Sequence, residues 1–408
     1  MPFVIFVAPV FSPAATGIIE AIARLPQVTL GLISQEAVEL LPLRLRGGVA
    51  AHWRIDNVLD TPALLGAVNG LVEKVGQPLH RVFGAFEQLQ VPIAEVRRTL
   101  GIEGMTVEAA TNFRDKARMK ELFHAHSIPC ARHRLAHSDA EAWDFAREVG
   151  YPLVLKPHEG AGSQSTFRVD RDDQLRQALG HSRPGPHQPV LVEEFVTGDE
   201  HSLETVSIDG KAVWHSLTRY YPTPLEVLRN PWIQWTVVLP REVDDPQYND
   251  IRKAGAKALK VLGMQTGLSH MEWFRRKDGS LAISEVAARP PGAQFTTLIT
   301  RAHDMDFLYA WARLMVYGDF DPPKRRFAVG AAYLRAQGYG SRIVAVQGLD
   351  TIEREVGYLI VDAKRPQLGA APAPSYEGEG YLIVRHEDTG VVQQVLNHIV
   401  STVRVELG

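Results

Sequence analysis

The stretch Gly267-Leu268-Ser269-His270-Met271-Glu272-Trp273-Phe274-Arg275-Arg276-Lys277-Asp278-Gly279-Ser280-Leu281-Ala282-Ile283-Ser284-Glu285 carries the most information in the chain. Asp-Gly between two alternating runs is a strong short-range hairpin signal. With Asp278 and Gly279 as the two central turn residues, counting outward equally on both sides sets Glu272 directly opposite Glu285, on one face. Side chains so placed have Cβ atoms ~4.5–5.5 Å apart, and like charges there repel. A cation between them offsets the cost, and carboxylate oxygens suit a hard divalent ion such as magnesium. The plain alternative is a pair of solvated glutamates on an exposed or out-of-register hairpin. Gly267–Met271 and Ala282–Ile283 are largely apolar, which argues for a core sheet. His270 shares the face of Glu272 by period-two parity.

Three other segments carry candidate chemistry. Lys156 precedes a glycine loop, His158-Glu159-Gly160-Ala161-Gly162-Ser163-Gln164-Ser165. Free backbone N–H groups in such a loop can close over phosphates, with a lysine at the base neutralising charge. No Gly-Lys-Ser/Thr follows, so this is not a P-loop; a plain hairpin turn is the other reading. Val190–Val196 is an apolar strand ending in Glu193 and Glu194, with Gly198-Asp199-Glu200 beyond it. Its end can offer backbone groups to an adenine edge and a carboxylate to ribose hydroxyls, or it is an ordinary strand with a polar end. Asp209-Gly210 marks another hairpin, in which the same counting sets His215 opposite Glu204. The segment from Arg219 to Trp235 reads as a loop that lines a pocket or packs down as a lid.

Farther out, residues 3–8 form a buried strand and alternate with helical patterns near 61–75 and 86–98, which predicts a parallel sheet covered by helices. Residues 112–126 are rich in helix formers. Ser138-Asp139-Ala140-Glu141 is a capping-box pattern opening a helix that ends at Gly150. A long helix is expected near 246–262, others near 294–301 and 304–317, and the tail reads as short strands with a final amphipathic helix near 390–403.

The 408 residues are 45% apolar and 22% charged, which is the composition of a globular protein of two or three domains. A net charge of -3 argues against non-specific nucleic-acid binding, which needs phosphate neutralisation. The single cysteine, Cys130, excludes an internal disulfide framework and points to a reducing, cytoplasmic setting. No apolar run approaches ~18 residues, so no membrane span is expected. The apolar start MPFVIFVAPV lacks the basic flank and cleavage site of a leader.

In order along the chain, Asn112-Phe113-Arg114-Asp115-Lys116, Lys156-Pro157 with its glycine loop, Glu193-Glu194-Phe195-Val196-Thr197-Gly198-Asp199-Glu200, Glu272, and Glu285-Val286-Ala287-Ala288-Arg289 resemble the ATP-grasp superfamily. The closest flavour is that of the carboxylate–amine ligases that join amino acids. The resemblance implies a mixed α/β and α+β fold. A pre-grasp α/β domain would span 1–110 and an ATP-grasp domain 111–318, with a mobile lid over about 128–190. A mainly β C-terminal subdomain resembling that of biotin-carboxylase-like members would span 319–408.

The resemblance also implies roles. Lys116 and Lys156 match the lysines that contact ATP phosphates, and residues 160–165, with Gly160, Gly162 and Ser163, match the loop that closes over them. Glu193, Glu194 and Val196 match the adenine hinge, and Glu200 matches the ribose carboxylate. Glu272 and Glu285 match the ligands of Mg2+ (Mn2+ being an alternative ion). Arg289 matches the arginine that steadies a carboxylate and its phosphorylated form, with His270 beside it in the site. Ala287 stands where the family often has asparagine, which leaves one protein ligand fewer for a second metal ion. The implied reaction joins a small carboxylate to an amine through an acyl phosphate, with no nucleic-acid or membrane partner and a homodimer as the family's habit. A biotin-carboxylase-like acceptor and a nucleotide-binding regulator without turnover are the alternatives.

Overall fold

The computed structural model describes residues 1–159, 166–230 and 232–408. Phe3–Val7 lies inside a four-stranded parallel sheet, in the order Ala51–Arg54, Thr29–Ser34, Phe3–Val7, Leu79–Gly84. Every residue of this strand is buried because both faces are covered. Val4 and Phe6 pack on one side, in a cluster that includes Trp311 and Phe307, while Phe3, Ile5 and Val7 meet Leu64, Val68 and Leu71 on the other.

The expected hairpin is the edge of an eight-stranded antiparallel sheet. Its order is Leu281–Ala287, Gly267–Arg275, Asp199–Ile208, Lys211–Tyr221, Trp235–Leu239, Ala328–Leu334, Gly380–His386, Ile360–Lys364. Strands from the tail thus extend the same sheet that carries Glu272. A separate antiparallel sheet orders His133–Ala136, Val190–Glu194, Leu153–Pro157 and Phe167–Val169, and the helices Asp139–Val149 and Asp172–Ser182 cover it. Ser138 caps the first of these helices by accepting from the Glu141 N–H, as the capping box predicts.

Glu272 does pair with Glu285, but by a different route from the one the counting assumed. The Arg276 N–H donates to the Ser280 carbonyl and Arg275 faces Leu281, so the turn is centred on Asp278 rather than between Asp278 and Gly279. A bulge then pairs Trp273 with Ile283 and Glu272 with Glu285, leaving Ser284 as the extra residue, and restores the register. The first hairpin shows the opposite sequence of events. Its turn is the expected one, with Ile208 facing Lys211, but a bulge between Ala212 and Trp214 shifts the rest. His215 therefore faces Thr205, not Glu204, and its Nε2 lies 3.4 Å from the Val243 carbonyl oxygen.

Three other expectations are corrected. The helix expected over 112–126 is broken into Val107–Arg114 and Lys116–Ala125, because the Asp115 carboxylate accepts from the N–H groups of Ala117 and Arg118 and starts a new helix. The loop after Arg219 continues as strand to Tyr221 and then holds the short helix Pro224–Arg229. The tail contains the additional helix Leu349–Val356.

Two imidazoles, His303 buried and His201 half-buried, make the fold sensitive to acid. His201 stacks on Trp273 with ring centroids 4.4 Å apart. Burial first, then Arg219 and Arg275, lowers its pKa to about 4. Burial and Arg325 lower that of His303 to about 3. Both are depressed below the ordinary 6.5, so their contribution is complete above that pH and is lost as the pH falls toward 4. Urea-unfolding free energy is expected to drop between pH 6.5 and 4, and more shallowly in His201→Gln. Equal slopes in the two proteins would contradict this.

Candidate active site

Asp115 positions the first cation. By capping the helix it makes Lys116 the first helical residue, whose N–H donates to the His158 carbonyl at 2.9 Å. Lys116 Nζ lies 2.9 Å from Glu285 Oε1. Four residues on, one helical turn away, Lys120 is completely buried, with Nζ 3.3 Å from Glu193 Oε1. Lys156, at the end of the strand Leu153–Pro157, reaches the other oxygen of Glu193 at 3.1 Å.

A cleft of about 610 Å³ lies where these groups converge, lined from the sheet that holds Leu153–Pro157 and from the hairpin that holds Glu272 and Glu285. Lys116, Lys120, Lys156, Glu193, Glu200, Glu272 and Glu285 line it, with Val154, Phe195, Val196, Phe274 and Ile283 as apolar walls. Such walls suit a flat heteroaromatic ring, and the cationic end suits phosphates. The Glu194 carboxylate faces two arginines, with Arg132 Nε at 2.6 Å and Arg276 Nη2 at 2.8 Å. Its N–H donates to the Arg132 carbonyl, so side chain and backbone together fix the strand end.

Electrostatics sort the carboxylates. Burial opposes ionisation of Glu285, but Lys116, Lys156 and Arg289 outweigh it and hold the group below its usual range. Glu193 is likewise buried and is kept charged by Lys120 and Lys156. Glu200 goes the other way: burial and the Glu272 charge push it well above the carboxylate range. An incoming cation or hydroxyl donor would relieve this. Glu272 and Glu285 offer hard oxygen donors from opposed strand positions, which is the donor chemistry a magnesium ion takes.

Glu272 and Glu285 also line a smaller cavity of about 80 Å³, walled by Tyr220, Trp235, Phe295 and Tyr376. His270 and Arg289 reach it. His270 Nδ1 lies 2.8 Å from Glu204 Oε1, and its Nε2 lies 3.7 Å from Glu272 Oε1. Burial opposes a charge on His270, yet its bond to Glu204 and the nearby Glu272 carboxylate carry its pKa up to about 9. Arg289 Nη2 donates to Glu87 Oε2 at 3.0 Å, and Arg114 Nη1 holds the other oxygen of Glu87 at 3.2 Å.

Lys116, Lys156, Glu193, Glu194, Val196, Glu200, Glu272 and Glu285 therefore meet around one cleft, with His270 and Arg289 at the adjoining cavity. Gly160, Gly162 and Ser163 lie outside the described residues. Sequence reasoning missed Lys120, Glu87 and the partnership of Glu204 with His270. Lys120 left a usable signal, since it follows Lys116 at helical spacing. Glu87 left none, being one acidic residue in a short 3₁₀ turn.

Glu193 anchors two buried lysines. Removing one partner of a buried ion pair costs about 3–5 kcal/mol, because the remaining charge is stranded. Glu193→Gln is expected to lower unfolding free energy by about 3 kcal/mol at pH 7 in urea titrations. A change within ±0.5 kcal/mol, the usual range for a surface substitution, would show the pair to be dispensable.

Residues 121–303 match the ATP-grasp domain family. Among curated proteins, the protein y4rH of Sinorhizobium fredii (strain NBRC 101917 / NGR234) is 25% identical over 294 residues, which are 70% of this chain and 59% of that one. The L-arginine-specific L-amino acid ligase of Bacillus subtilis is 22% identical over 280 residues, 66% of each chain. The chain thus spans 59 to 66% of the length of these relatives. The solved structure of the L-amino acid ligase from Bacillus licheniformis has a TM-score of 0.78 at 18% identity, covering 100% of this chain and 99% of that one. That likeness speaks for the fold, along its whole length. No helix among the described residues is long and apolar enough to cross a membrane.

Proposed function

We propose that the chain is an ATP-dependent carboxylate–amine ligase that forms an amide between small metabolites, amino acids being the favoured class, with release of ADP and phosphate. The observation that carries this is the convergence of Lys116, Lys120 and Lys156 with the opposed Glu272 and Glu285 in one cleft, and Arg289 in the cavity beside it. The names of the Bacillus relatives support amino acids as substrates.

The apolar part of the cleft takes the adenine, against the Glu194 and Val196 backbone, and Glu200 accepts from the ribose. Lys116 and Lys156 meet the phosphates, giving up part of their pairing with Glu285 and Glu193. Glu272 and Glu285 would hold a magnesium ion, which when bound neutralises phosphate oxygens in the transfer. A carboxylate is a poor electrophile. Its oxygen attacks the γ-phosphorus and the bond to the ADP oxygen breaks, giving an acyl phosphate. The amine nitrogen then attacks the acyl carbon, the bond to phosphate breaks, and the nitrogen loses a proton. Such transfers are governed by positioning and charge neutralisation more than by covalent help from the protein. Arg289, oriented by Glu87, steadies the carboxylate as its charge moves, and His270, held between Glu204 and Glu272, orders the same cavity.

A phosphate-release screen over pairs of small acids and amines tests this. Release is expected to need both partners, with ADP and phosphate formed in equal amounts. Release that requires bicarbonate and biotin, or nucleotide binding with no turnover for any pair, would refute it.

A further inference from the structure

A third cavity lies away from the nucleotide cleft, where the parallel sheet meets the eight-stranded sheet. The strand Leu79–Gly84 and the helix Gln90–Leu100 form one side, and Met264–Leu268 with the helix Phe307–Tyr317 form the other. The cavity measures about 260 Å³, and Val82, Phe83, Met105, Leu268 and Leu314 give it apolar walls. Among the described residues, Ala288 and Arg289 are those through which it touches the active region.

Arg97 lines this space and is 7% exposed. Its Nε has no hydrogen-bond partner, and among the described residues no carboxylate pairs with its guanidinium. The charged group acting on it is another cation, Arg81, whose own Nη2 is taken by Glu103 at 2.7 Å. Burial, then Arg81, pulls Arg97 down to about 10, so it is still charged at neutral pH. The chain also makes room for it: Gly104 has φ 148°, and a Cβ there would sit 2.3 Å from Arg97 Nη1. A buried cation without a counter-charge is costly unless something pairs with it.

We infer that this cavity is a binding site for a small carboxylic acid with an apolar body, whose carboxylate pairs with Arg97. The planar guanidinium fork matches a carboxylate in two-point fashion. Among the described residues of this lining, Arg97 is the guanidinium without a counter-charge, while Arg81 is paired with Glu103 and Arg289 with Glu87, so a monoanion fits better than a phosphate dianion. The volume falls below the ~300–1,000 Å³ of pockets for drug-sized ligands, which leaves room for a molecule of amino-acid size. The inference does not depend on the ligase reaction.

Calorimetry on the full chain without nucleotide tests it, with 4-methylpentanoate and L-leucine as probes and 4-methylpentanamide as the uncharged control. At least one acid is expected to bind and the amide not to. Arg97→Met is expected to weaken acid binding at least tenfold while melting at or above the wild-type temperature, since the lost charge had no partner. Arg97→Lys, which keeps a cation without the fork, is expected to fall between. Glu285→Gln, altered in the nucleotide cleft, is expected to bind the acid like wild type. Comparing the two acids separates an amino acid from a plain acid as the natural occupant. Unchanged affinity in Arg97→Met overturns the proposal, as does absence of binding by both acids at millimolar concentration.

Discussion

Glu285→Gln is expected to reduce ADP formation by about 10³-fold while leaving the protein folded, a loss of the size seen when one transition-state charge stabiliser is removed. The amide keeps the shape of the side chain but not its charge. In the folded protein Glu285 is held ionised by Lys116, Lys156 and Arg289 despite its burial, and it stands opposite Glu272. The substitution therefore removes one of two opposed carboxylates and leaves Lys116 without its 2.9 Å partner. An ADP-coupled assay across a range of magnesium concentrations, with thermal unfolding as the control for folding, measures the effect. Near-normal turnover would remove Glu285 from the metal site and with it the proposed mechanism.

Lys156→Ala is expected to weaken nucleotide binding by about 10- to 100-fold. A hydrogen bond to a charged group contributes roughly 1.5–3 kcal/mol, and each 1.4 kcal/mol is tenfold in affinity. The fold should survive, because Glu193 keeps Lys120 as its second partner. This separates Lys156→Ala from Glu193→Gln, which strands both lysines and acts mainly on stability. Calorimetric titration with ADP and magnesium reads the affinity directly. An unchanged dissociation constant would mean that Lys156 serves the fold alone.

The outcome of the two Asp-Gly hairpins shows how far local pattern carries. In both, period-two alternation and the turn dipeptide were legible, because strand side chains alternate faces and Gly tolerates positive φ. Neither bulge was legible. A bulge inserts one residue at a place set by the neighbouring strand and by packing, and it reverses the parity of everything beyond it. At Glu272 and Glu285 the bulge compensated for a turn centred on Asp278, half a residue from the assumed centre. At His215 nothing compensated, and the residue faces Thr205 instead of Glu204.

The cations divide in the same way. Lys156 could be found because it precedes a glycine-rich loop, and Arg289 because the segment Glu285-Val286-Ala287-Ala288-Arg289 resembles the ATP-grasp superfamily. Lys120 follows Lys116 at helical spacing, but only the folded chain buries it on Glu193 of the strand Val190–Glu194. Glu87 and Arg289 are brought together from positions 202 residues apart. No spacing rule reaches that far.

The order of motifs along the chain, the alternation of the hairpin that holds Glu272 and Glu285, and the capping residues were determined by the sequence itself, since each depends on neighbours within a turn or a strand. Tertiary structure alone decided which charges lost their water and which partners they met in its place: Lys120 on Glu193, Glu204 on His270 and Glu87 on Arg289. Desolvation depends on what the rest of the chain stacks against a side chain, and a local pattern holds no record of that.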